Sequence, residues 1–80
     1  GNQMTKLINS LKVNDKINLN GRVYTVDGAP TKAKYCIMVG IKGQRGADMV
    51  ICWYPESNNG KFFSLSAMSK SKEIKSLTIN

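Results

Sequence analysis

The stretch KINLNGRVYTVDG, residues 16–28, decides the fold. Asn20-Gly21 sits between two alternating runs, and both residues tolerate the positive φ of a two-residue hairpin turn. That turn fixes a register in which Leu19 faces Arg22, Ile17 faces Tyr24 and Asp15 faces Val26. Cross-strand partners share a face, so Ile17, Leu19, Tyr24 and Val26 form a core face. Val23 and Thr25 point the other way with Lys16 and Asn18.

Upstream, residues 4–12 place Leu7, Ile8 and Leu11 on one helical face, which predicts one or two turns of helix with Thr5 as its cap. Gly1-Asn2-Gln3 before Met4 reads as a cloning scar, which leaves 4–80 as one domain. Downstream, Gly28-Ala29-Pro30-Thr31 breaks the pattern and opens a loop carrying Lys32 and Lys34. A second hairpin follows, with Gly43-Gln44-Arg45 at its tip. One face then carries Tyr35, Ile37, Val39, Ile41, Met49, Ile51 and Trp53; the other carries Cys36, Met38, Gly40, Asp48, Val50, Cys52 and Tyr54. Pro55 ends that strand, and Ser57–Gly60 is the next turn. Residues 61–65 form a strand with Phe63 and Leu65 on one face and Phe62 on the other. Ala67–Glu73 reads as a helical turn or polar loop, and Ile74–Ile79 as a last strand.

Short strands joined by tight turns in so small a chain predict a mainly β fold. The first expectation is a small five- to six-stranded SH3-like barrel with a short N-terminal helix; an OB-fold is the second. Leu11–Ile17, then Asn20-Gly21 and Tyr24-Thr25-Val26, resembles the opening hairpin of bacterial SH3-like barrels, where a V-G-D-x-V step enters and a Y-x-V strand returns. Val50–Tyr54 followed by Phe62-Phe63 is similar to YodC-like small bacterial proteins of unknown function. Asn14 stands where that pattern has Gly, and the loop at 28–34 is longer.

Composition argues against catalysis and for binding. The chain has no histidine, so the commonest general base is missing, and its 5 carboxylates fall on separate turns or loops. Only Asp15 and Asp27 approach each other, and Asp15 reads as a turn-former. No Gly-rich loop follows a strand and opens a helix, so KGQRG at 42–46 is no nucleotide fingerprint. Cys36 and Cys52 face each other in the favoured register. Two thiols fall short of a zinc set, and they read as reduced, half-buried apolar residues, with no metal and no cofactor. No apolar run approaches the ~20 residues that cross a bilayer. Two cysteines and no signal sequence make the cytoplasm the default setting.

The charge is strongly basic, with 12 Lys+Arg against 5 Asp+Glu and a pI near 9.7. Lys32, Lys34, Lys42 and Arg45 fall in loops at strand ends, where small barrels present a binding rim. Phosphate contact by these four, with Lys61, Lys70 and Lys72 as outer charges, is the sharper reading. Tyr54 and Phe62 point away from the expected core and could stack on bases. The same residues have a blander account: Lys and Asn abound in proteins of AT-rich genomes, such as those of low-GC bacteria or phages. The partner is therefore expected to be nucleic acid or, as the alternative, a protein. The simplest form of the alternative is a homodimer through the rather apolar Cys36–Tyr54 hairpin.

Overall fold

A computed structural model describes residues 2–80. These described residues form one helix, α1 (Asn2–Ser10), and eight strands. These are β1 (Lys16–Leu19), β2 (Arg22–Val26), β3 (Thr31–Lys32), β4 (Ile37–Lys42), β5 (Asp48–Tyr54), β6 (Asn59–Ser64), β7 (Lys72–Glu73) and β8 (Leu77–Ile79). They make one curled antiparallel sheet in the order β7-β6-β5-β4-β2-β1-β8, with β3 also paired to β4. The fold is mainly β with one short helix, but it has eight strands where the sequence predicts five or six. Two of them, β3 and β7, are two residues long, too short to show alternation.

The first hairpin has the register read from its turn. Ile17 opposes Tyr24 and Leu19 opposes Arg22, while Asn20 and Gly21 take φ of 52° and 86°. Backbone bonds between Val26 and Asp15 and between Asn14 and Val26, both 2.8 Å, carry the pairing past the strand ends. Ile17, Leu19 and Val26 are fully buried and Tyr24 half-buried. Burying each such aliphatic side chain favours folding by about 1.5–3 kcal/mol. Asp15 accepts the Lys12 N–H at 2.8 Å, the turn-forming role its position implies.

Helix α1 begins at Asn2, so Thr5 lies inside it and does not cap it. Ile8 on the helix and Leu11 just after it are buried against the sheet, as their spacing predicts. Thr5 is spent differently: its Oγ1 accepts the indole N–H of Trp53 at 3.0 Å.

The second hairpin keeps its expected faces but not its pairing. Gly43 N–H bonds Ala47 O at 3.2 Å and Gly46 takes φ of 82°, so the tip is Gln44-Arg45-Gly46, one residue later than expected. Each partner therefore moves two places: Ile37 opposes Trp53, and Met38, not Cys36, opposes Cys52. Tyr35 precedes the strand and is exposed, contrary to its expected core position.

The next turn occupies Pro55–Asn58, with Asn58 at φ 54°, so Gly60 already lies in β6 opposite Trp53. Pairing with β5 sets the faces of β6. Phe62 opposes Ile51 and joins the core, whereas Phe63 opposes Val50 on the outer face. The expected assignment of the two phenylalanines is thus reversed, and Leu65 falls beyond the strand and is exposed.

The last segment is not one strand. Lys72-Glu73 pairs with β6, Leu77–Ile79 pairs with β1, and Ile74–Ser76 crosses between them. Ile74 and Leu77 are both buried although strict alternation would separate them, because the crossing breaks the period. Asn20 holds this crossing. Its amide donates to Glu73 O at 2.8 Å, and its Oδ1 accepts the N–H of Lys75 at 2.7 Å and of Ser76 at 3.1 Å.

Candidate functional site

The connection from β3 to β4 is a tight turn with Lys34 and Tyr35 at its tip. Ala33 N–H bonds Cys36 O at 2.8 Å, extending the pairing of Lys32 with Ile37 up to the two central residues. Tyr35 cannot fold inward from there and is 69% exposed. The Lys34 ammonium stands over its ring, 5.3 Å from the centroid, in cation–π contact.

Beneath this turn lies an open cleft of about 430 Å³. Thr5 and Asn9 of α1 form one side, the turn from Lys32 to Ile37 another, and Pro55 and Glu56 the third. Lys32 and Lys34 give this mouth two cations against the single carboxylate of Glu56. A planar ring could lie on Tyr35 here while an anion meets the ammonium groups.

Of the residues singled out in the sequence, Lys32 and Lys34 meet at this cleft and the others do not. Lys42 ends β4, about 17 Å along the strand from the Lys32 pairing at roughly 3.3 Å per residue. It is paired with Asp48 at 3.3 Å, the one ion pair among the described residues. Arg45 is exposed in the turn beyond it. Lys61 is exposed on β6, directly opposite Cys52. Tyr54 is half-buried against the outer-face cluster of Val50, Cys52 and Phe63, so only part of its ring is free.

Phe62 is no stacking platform. It is 2% exposed and meets Tyr24 edge to face, with centroids 6.0 Å apart and planes at 71°. Lys70 and Lys72 border a second, smaller cleft of about 210 Å³, walled by Tyr24, Met49, Phe62 and Phe63. Tyr35 is the aromatic that sequence reasoning missed. Its turn contains no Gly, Pro or Asn to announce it, and alternation with Ile37 made it look like core.

Cys36 and Cys52 are both free thiols. Burial pushes the Cys52 thiol pKa up, the neighbouring Cys36 adds to this, and the Lys61 ammonium opposes it. Both cysteines lie on the outer face, Cys36 packed against the cluster that contains Cys52. Among the described residues no three His, Cys, Asp or Glu side chains converge, and no polar or charged residue is buried. No described helix is long and apolar enough to cross a membrane. Compared with known proteins, the chain matches no family model, no curated protein and no solved structure.

Proposed function

We propose that this protein is a non-enzymatic binding module that holds single-stranded nucleic acid at the Tyr35 turn. The observation that carries this reading is an exposed tyrosine that shares the mouth of an open cleft with Lys32 and Lys34. Base stacking on such a ring contributes about 1–3 kcal/mol and tolerates any base, while the lysines meet phosphates. Lys61, Lys70 and Lys72 raise the local concentration of a polyanion without fixing its position. Recognition is then electrostatic and weakly sequence-dependent. The curled sheet and its opening hairpin support an SH3-like barrel of the kind that YodC-like proteins suggest.

The test is a fluorescence-anisotropy titration with labelled single- and double-stranded oligonucleotides at two salt concentrations. Binding that prefers single strands and weakens with salt is expected; absence of binding at low salt overturns the proposal.

A second reading has its own observation. Met38 is 37% exposed beside the outer-face cluster of Val50, Cys52 and Phe63, which supports a protein partner or a homodimer through the Cys36–Tyr54 hairpin. Mass measurement in solution separates the two, since a strict monomer disfavours the homodimer.

A further inference from the structure

We infer that Cys36, Met38 and Cys52 form a three-sulfur site for a soft monovalent metal ion, Cu(I). Met38 and Cys52 are direct cross-strand partners on β4 and β5. Side chains so placed have Cβ atoms about 4.5–5.5 Å apart on one face. Cys36 lies two residues before Met38, hence on the same face and diagonal to Cys52, and it packs against the Cys52 cluster. Three sulfurs thus share one small area of the outer face, where Cys36 is half-buried and Met38 exposed. An ion can reach them from solvent without disturbing the inner core.

The ligand set selects the metal. A structural zinc site uses four ligands, and no histidine or carboxylate completes one here. Thiolate and thioether sulfur suit Cu(I), which accepts fewer ligands. On binding, each thiol releases its proton to solvent and its sulfur donates a lone pair, while the Met38 thioether donates with no proton change. Two thiolates and one Cu(I) leave the site with one net negative charge. Lys61, the other cross-strand partner of Cys52, places an ammonium where it offsets that charge.

The test is anaerobic titration of the fully reduced protein with Cu(I) held by bicinchoninate, following loss of the coloured complex. One Cu(I) per chain is expected. Cys36→Ala and Cys52→Ala should each weaken uptake more than about 100-fold, beyond the cost of losing an outer-shell partner, and Met38→Leu by about 10- to 100-fold. Val50→Ala thins the same cluster but keeps all three sulfurs, so it should retain wild-type uptake; circular dichroism checks the fold of every variant. Wild-type uptake by a folded Cys36→Ala or Cys52→Ala variant overturns the site, and unchanged uptake by Met38→Leu removes the thioether from it. Binding of Zn(II) as tight as that of Cu(I) also overturns the assignment.

Discussion

Trp53 donates its indole N–H to Thr5 Oγ1 at 3.0 Å, the side-chain hydrogen bond that ties helix α1 to the sheet. The indole itself is buried in the main core, so its donor has few other partners within reach. Replacing Thr5 by Val keeps the shape and strands the N–H, which should cost about 1–3 kcal/mol. Urea denaturation of Thr5→Val, Trp53→Phe and the double variant should show strong coupling; simple additivity would mean that the bond contributes nothing.

Asn20 combines a backbone role and a side-chain role that two substitutions separate. Asn20→Gly keeps the left-handed turn and loses the bonds to Glu73, Lys75 and Ser76, whereas Asn20→Ala loses both. At about 0.5–1.5 kcal/mol per bond, the glycine variant should be destabilised by ~2–3 kcal/mol, with alanine costing about 1 kcal/mol more. Equal stability of Asn20→Gly and wild type would show that the side chain does not hold the crossing.

Gly60 is fixed by space, not by its backbone angles. A Cβ there would stand 2.6 Å from Trp53 Cε3, 2.8 Å from Cys52 O and 3.0 Å from Ile74 Cδ1. Gly60→Ala should therefore lower stability by roughly 1–3 kcal/mol or more, the range for overpacking a close-packed core. A thermal melt within a degree of wild type would contradict this packing.

The Tyr35 turn makes a graded prediction for binding. Tyr35→Ala should weaken single-stranded oligonucleotide binding by about 1–3 kcal/mol at any salt. Lys32→Ala with Lys34→Ala should instead flatten the dependence of log K on log salt by roughly 1.4, for two phosphate contacts on a single strand. Lys42→Ala with Arg45→Ala, at the far end of β4, should change the slope less. Equal effects from both pairs would place the contact elsewhere.

The two thiols should differ in reactivity, because the thiolate is the reacting species. Cys52 is buried and its pKa is raised, first by that burial and then by Cys36, so it holds its proton as pH rises past the ordinary thiol range. Native protein should contain two reduced thiols, with iodoacetamide reacting at Cys36 first and at Cys52 only at higher pH or after unfolding. Peptide mass mapping over a pH series reads this directly, and faster labelling of Cys52 would contradict its burial.

The legible parts of the sequence are those governed by local rules. Asn20-Gly21 determines its own turn and therefore the register of four residues on each side. The faces of the second hairpin could also be read, because moving its tip by one residue shifts every partner by two places and leaves the parity intact. Where the partner strand, and not the strand's own alternation, decides which face is buried, the reading fails. Within β6, pairing with β5 decides between the two phenylalanines, setting Phe62 opposite Ile51 in the core and Phe63 opposite Val50 on the outer face. The candidate site failed in the same way: Tyr35 fits the alternation of Ile37 and Val39, and only the Ala33–Cys36 pairing shows that it sits on a turn. Lys32 and Lys34 survived because the short β3 strand and its turn bring both to the cleft, whereas Lys42 found a carboxylate that cross-strand pairing supplied.

The crossing at Ile74–Ser76 gives the sheet an unusual dependence on one short stretch of chain. Its two outermost strands lie at opposite ends of the strand order yet come from Lys72–Ile79 alone. During synthesis, β1 and β6 must both wait with bare edges until this stretch leaves the ribosome, however early the Asn20 hairpin has formed. A chain cut before Lys72 would not merely be shorter. It would present two open templates for intermolecular pairing, one at each end, and could grow in both directions.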